Sequence, residues 1–130
     1  MRLDHFSLSA PDIEPIKNFF CDVIGLEVGE RPDFNFPGYW LYGSDGTAVV
    51  HLIQGQGNSK GAPGTESDTA SDDTGVVDHL AFGAEDLTGL IDRVEAGGWT
   101  YRQNTLPNGA AKQVFIDGPD GLVVEVAFRT

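Results

Sequence analysis

Two stretches of the chain occur twice. Leu3-Asp4-His5-Phe6-Ser7-Leu8, followed by Asp12-Ile13, is similar to Val77-Asp78-His79-Leu80-Ala81-Phe82, followed by Asp86-Leu87. Further along, Ala48-Val49-Val50-His51-Leu52 matches Leu122-Val123-Val124-Glu125-Val126. Both matches share one offset, 74 residues, the separation of His5 from His79 and of His51 from Glu125. A shared offset marks a tandem duplication, so whatever the first copy folds into, the second must build again. At 130 residues the chain has room for one ordinary domain. The copies are therefore expected to be modules of one domain spanning 1–130: module 1 over 1–54, a flexible linker over 55–75 and module 2 over 76–130.

Each module decomposes the same way by periodicity. An alternating strand comes first, then a helix, then strands separated by turn residues, giving the order β, α, β, β, β. In module 1, Pro11-Asp12 opens a helix whose apolar residues Ile13, Ile16, Phe19 and Phe20 recur at helical spacing and which ends before Gly25. In module 2, Asp86 caps a helix with the stripe Leu87, Leu90, Ile91 and Val94, ending at Gly97-Gly98. Later strands are predicted near 40–42, 47–54, 113–117 and 122–128, with turns at Asp45-Gly46 and Asp120-Gly121. The segment 55–75 holds no aliphatic side chain larger than alanine and cannot bury enough surface to offset its own ordering. The expected fold is α+β, two βαβββ modules whose mixed sheets curl into a cup.

The charge balance removes several classes of partner. Eight basic against 20 acidic residues give a net charge of -12, which repels phosphate backbones and anionic lipid surfaces. Neither nucleic acid nor membrane is expected as a partner. No apolar run approaches the roughly 20 residues of a membrane span, and Met1-Arg2-Leu3-Asp4-His5 opens with no apolar signal region, so a cytoplasmic location is expected. Cys21 is the only cysteine, which excludes an internal disulfide or a thiolate cluster, and its place in an apolar segment reads as core.

Side chains alternate along a strand, so His5 opposes Phe6, His79 opposes Leu80, His51 opposes Val50 and Leu52, and Glu125 opposes Val124 and Val126. All four polar residues project from the face the helices leave uncovered. The chain's three histidines fill three of four repeat-related positions, and the fourth is a carboxylate inside the apolar run 122–128. Such a carboxylate is costly unless a cation or proton neutralises it. Metal ligation by His5, His51, His79 and Glu125 accounts for all four at once. Imidazoles with one carboxylate suit a divalent first-row transition metal (Zn, Ni, Co, Mn or Fe), and open positions on such an ion would permit catalysis. By strand parity, Gln113 and Phe115 face the cup while Val114 and Ile116 face the helix; Trp40 and Tyr42 separate from Tyr39 and Leu41, without parity saying which pair is inside.

One marked residue on the first and one on the last strand of each βαβββ module resembles the vicinal oxygen chelate superfamily: glyoxalase I, methylmalonyl-CoA epimerase, extradiol dioxygenases, and fosfomycin and bleomycin resistance proteins. The phrases Gly25-Leu26, Arg31-Pro32 and Gly118-Pro119-Asp120-Gly121 add to the likeness, which covers nearly the whole chain outside 55–75. By resemblance, His5, His79 and Glu125 form a two-His, one-carboxylate set. His51 fills the slot where glyoxalase I has glutamate and the epimerase has glutamine. The resemblance implies a glyoxalase-like or epimerase-like lyase or isomerase acting on a small oxygenated carbonyl compound through an enolate that the metal stabilises, with Glu125 or His51 carrying the proton. One alternative is Fe(II) oxygenation of the extradiol type, with His51 outside the metal shell. Another is a non-catalytic, drug-binding dimer of the bleomycin-resistance type, with Trp40 and Tyr42 among the aromatic residues of a groove. Gln113, Phe115, Trp40 and Tyr42 are the candidate substrate contacts, and a homodimer is implied. Arg31, Arg102 and Lys112 read as solvated charges unless one of them reaches the rim of the site.

Overall fold

The computed structural model of the protein describes residues 1–55, 74–107 and 109–129. The chain divides into two compact units, Met1–Ala70 and Ser71–Thr130. The linker expected at 55–75 lies outside the described residues apart from Gly55, Thr74 and Gly75.

The first unit runs β1 (Phe6–Ala10), α1 (Glu14–Phe19), β2 (Glu27–Gly29), β3 (Gly38–Tyr42) and β4 (Ala48–Gln54). Its sheet has the order β1-β4-β3-β2; β1 is parallel to β4 and the other pairs are antiparallel. A parallel pair cannot be joined by a tight hairpin, so the helix and two strands between them serve as the connection. At the start of α1, Asp12 Oδ1 accepts the Glu14 N–H at 3.0 Å. Pro15 sits in the first turn, where a missing N–H is harmless. The helix continues as a π-turn over Phe20–Ile24 and stops at Gly25, whose φ of 91° favours glycine and whose N–H bonds the Phe20 carbonyl. Ile13, Ile16, Phe19, Phe20 and Val23 are buried, and so are Leu41, Val50 and Leu52 of the sheet. Each such side chain contributes on the order of 1.5–3 kcal/mol. Cys21, expected in the core, is only half-buried, because it sits one position past the buried Phe19–Phe20 pair.

The second unit repeats the pattern: β5 (Leu80–Gly83), α2 (Leu87–Ala96), β6 (Tyr101–Thr105), β7 (Ala111–Asp117) and β8 (Val123–Arg129), with sheet order β5-β8-β7-β6. Here too the first and last strands are parallel neighbours. Asp86 caps α2 by accepting the Gly89 N–H at 2.9 Å. Leu90 and Val94 of the helix are buried, as are Val114, Ile116, Val124 and Val126 of the sheet. Between β7 and β8, Asp120 and Gly121 take φ of 55° and 76° and Leu122 N–H bonds the Pro119 carbonyl, the turn in which both central residues are left-handed. The fold is thus α+β, built from two tandem βαβββ modules. No helix among the described residues is long and apolar enough to cross a membrane.

Candidate functional site

The parallel pairing of first and last strands sets the marked residues side by side within each unit. Ser7 lies opposite His51, and Ala81 lies opposite Glu125. His5 and His79 precede those partners by two residues and therefore share their faces.

In the first unit the His5 and His51 rings stack, with centroids 3.8 Å apart and planes 15° from parallel. Trp40, opposite His51 across β3 and β4, stacks on His51 as well, at 4.1 Å and 7°. One ring cannot carry both neighbours on the same face, so His51 lies between His5 and Trp40. Burial first, and then the neighbouring His5, push the His51 imidazole below its ordinary pKa. That favours the neutral form, the one with a free lone pair. His5 Nδ1 lies 2.7 Å from Asp4 Oδ2, and this hydrogen bond lowers the Asp4 carboxyl pKa. The bond occupies Nδ1 and leaves Nε2 for another partner.

The second unit repeats the arrangement with a charge exchanged for a ring. His79 Nδ1 lies 2.8 Å from Asp78 Oδ2, and its Nε2 lies 2.9 Å from Glu125 Oε2. The Asp78 hydrogen bond chiefly, and then Glu125, raise the His79 imidazole pKa against the opposing effect of burial. Glu125 is the buried charged residue, 7% exposed, and among the described residues no lysine or arginine pairs with it. Its Oε1 accepts from Gln113 Nε2 at 2.8 Å, and Gln113 Oε1 accepts in turn from Asn104 Nδ2 at 2.7 Å. Phe115, opposite Glu125 across β7 and β8, meets the His79 ring edge-on at 5.5 Å.

Of the aromatic candidates on β3, Trp40 stands at His51 and Tyr42 does not. A register shift between Leu41 and Tyr42 breaks the alternation. The Tyr42 ring lies over Gly29, and its hydroxyl donates to the Glu30 carbonyl at 2.6 Å. Tyr39 points toward the helix and donates to Glu14. Arg31, read from sequence as a solvated charge, is half-buried against the Phe34 and Phe36 rings. Parity gives no hint of this, because Arg31 lies in the connection between β2 and β3.

Within either unit, among the described residues, no three histidine, cysteine or carboxylate side chains gather as a metal-holding group; each unit offers two donors. The donor chemistry fits a divalent first-row cation. His5 and His79 each have Nδ1 held by the preceding aspartate, the arrangement that fixes tautomer and ring orientation in metal-ligating histidines. Asp4 and Asp78, the hydrogen-bond partners of the two histidines, are the residues that periodicity does not find. Their signal is the repeat itself, an Asp-His pair at the start of each module.

Residues 2–126 match the Glyoxalase/Bleomycin resistance protein/Dioxygenase superfamily, and the chain belongs to that family. Members typically use a divalent metal, act on small molecules and are commonly oligomeric. A relative from Synechocystis sp. described as "Probable lactoylglutathione lyase" is 25% identical over 97% of this chain and 94% of its own length. The crystal structure of a glyoxylase/bleomycin resistance protein/dioxygenase domain from Frankia sp. superposes with a TM-score of 0.71 at 15% identity, covering all of this chain and 98% of that one. Lactoylglutathione lyase from Agrobacterium tumefaciens superposes with a TM-score of 0.67 at 22% identity, covering 98% and 92%. At these identities the two structures speak for the fold.

Proposed function

We propose that this chain is a divalent-metal-dependent lyase or isomerase acting on a small oxygenated carbonyl compound. The observation that carries the reading is the duplicated Asp-His pair, in which each histidine has Nδ1 held by the preceding aspartate; Nε2 of His5 is left for a ligand, and Nε2 of His79 faces a buried glutamate that has no lysine or arginine partner among the described residues. His5, His51, His79 and Glu125 would hold the cation, one of Zn, Ni, Co, Mn or Fe, which when bound polarises two neighbouring oxygens of the substrate.

The chain's own residues do the rest. Gln113 fixes the Glu125 carboxylate through Oε1; Oε2, which faces His79 Nε2 at 2.9 Å, is the atom that would move a proton from the carbon beside the substrate carbonyl to the adjacent carbon. His51, favoured in its neutral form by burial, is the second group able to carry that proton. Phe115 and Trp40 shield their polar neighbours from water, which strengthens every electrostatic contact made there. The relative described as a probable lactoylglutathione lyase supports the lyase branch over oxygenation. A homodimer follows the habit of the superfamily.

The test is the metal content of untagged protein by mass spectrometry, for wild type, Glu125→Ala and His51→Ala. Near-stoichiometric metal lost in Glu125→Ala upholds the reading. Iron together with oxygen uptake would move the assignment to an extradiol-type dioxygenase, and metal retained in His51→Ala would make His51 an acid or base and not a ligand. No metal even after reconstitution removes both enzymatic readings and leaves capture of a ligand in the bleomycin-resistance manner.

A further inference from the structure

Beside His51 the first unit has a pocket of about 180 Å³, open to solvent on one side and walled by Arg31, Phe34, Phe36, Trp40, His51 and Ile53. Its walls are mostly apolar, and its one full charge is Arg31. The Arg31 guanidinium lies over the Phe34 and Phe36 rings, 4.9 and 5.0 Å from their centroids, and Nη2 donates to the Phe36 carbonyl at 2.9 Å. It is seated against Gly38: a Cβ there would come within 2.8 Å of Nη2 and 2.4 Å of the Leu52 carbonyl. Stacking, a backbone bond and a bare glycine thus hold the group in place.

No carboxylate pairs with Arg31 among the described residues, although the protein carries 20 acidic side chains against eight basic ones and Arg2, Lys17 and Arg102 each have an acidic partner. A guanidinium has five donors in a planar fork that matches a carboxylate, and the bond to the Phe36 carbonyl uses one of them. Size narrows the ligand further. An apolar cavity of about 150 Å³ accepts a benzene ring, whereas drug-sized ligands occupy about 300 Å³ or more. This cavity therefore suits one ring and a small anionic group.

We propose that the cavity is a subsite for an aromatic monocarboxylate, its ring against Phe34 and Trp40 and its carboxylate on the Arg31 fork. This names the substrate class of the metal-dependent reaction proposed above and rests on that reading for its catalytic meaning. The binding itself needs no metal.

The experiment uses metal-stripped full-length protein, with benzoate, benzamide and acetate titrated by calorimetry. Benzoate binds about tenfold or more tightly than either benzamide, which lacks the charge, or acetate, which lacks the ring. Arg31→Gln reduces benzoate to the benzamide level, and Arg31→Lys recovers part of the difference. Equal binding of benzoate and benzamide to wild type overturns the proposal without recourse to any variant, as does unchanged benzoate binding in a folded Arg31→Gln protein. Titration of the same preparation with Mn²⁺ or Zn²⁺ separates the two ideas: metal binding without benzoate selectivity overturns this subsite alone, whereas benzoate selectivity without metal binding upholds the subsite and overturns the metal-dependent enzyme.

Discussion

The two units place equivalent residues in equivalent strands and obtain different chemistry from them. In the first, the last-strand position is His51, and the pair becomes a stack of aromatic rings between His5 and Trp40. In the second it is Glu125, and the pair becomes an ionic hydrogen bond between His79 and a buried carboxylate. The aromatic residue across the strand adapts accordingly: Trp40 lies face to face with its histidine, and Phe115 meets its histidine edge-on. One difference at a duplicated position thus turns a pair of stacked imidazoles into an imidazole hydrogen-bonded to a carboxyl group. A duplicated fold can assign equivalent positions in its two modules to different tasks without altering its backbone.

The largest expected effect comes from removing the charged half. Glu125→Ala should weaken metal binding by more than about 100-fold, beyond the 10- to 100-fold typical of losing a group that only orients a ligand. Calorimetric titration of the variant checks it, and full retention of metal would break the distinction drawn between the halves. Asp4→Asn and Asp78→Asn follow, each expected to cost about 10- to 100-fold in metal affinity because the histidine loses the carboxylate at Nδ1. Similar losses for both would show that the two Asp-His pairs are equivalent; loss only for Asp78→Asn would place the first unit outside the metal shell. His51→Glu gives the first unit the residue set of the second, and its metal affinity should change less than that of Asp78→Asn. A larger loss than that of Asp78→Asn would show that the two last-strand positions are not interchangeable.

The smallest effect concerns a tie that both units share, a tyrosine on a strand bonded to a glutamate on the helix: Tyr39 to Glu14 and Tyr101 to Glu95. The Tyr39 hydrogen bond lowers the Glu14 pKa from 4.5, so its small contribution to stability is present above that pH and fades as the pH falls through the folded value. The Tyr39 phenol is raised above 10.0, so its share is present below that pH and is lost as the pH rises through its own folded value. Tyr39→Phe should return the Glu14 titration toward 4.5 by NMR while leaving Tyr101 unmoved.

The repeat and the strand parity were legible because both rest on backbone geometry that local sequence dictates. The duplicated offset predicts the two βαβββ modules, and alternation separates the buried Val114 and Ile116 from Gln113 and Phe115. Parity fails where the backbone departs from its period, as at Tyr42 beyond the register shift. It is silent where a residue belongs to no element, as at Arg31. Asp4 and Asp78 stood in plain view as repeated neighbours of the histidines, but a hydrogen bond between adjacent side chains depends on rotamers that no periodicity encodes.

The parallel pairing of first and last strands also sets an order of assembly during synthesis. Every strand of the first sheet is complete at Gln54 and leaves the exit tunnel while later residues are being added, so the His5–His51 stack can form before the second module is finished. The His79–Glu125 contact joins residues 46 positions apart and must wait for the last strand to leave the exit tunnel. Until then His79 has no carboxylate at Nε2, and a nascent chain holds only the histidine pair of its first module.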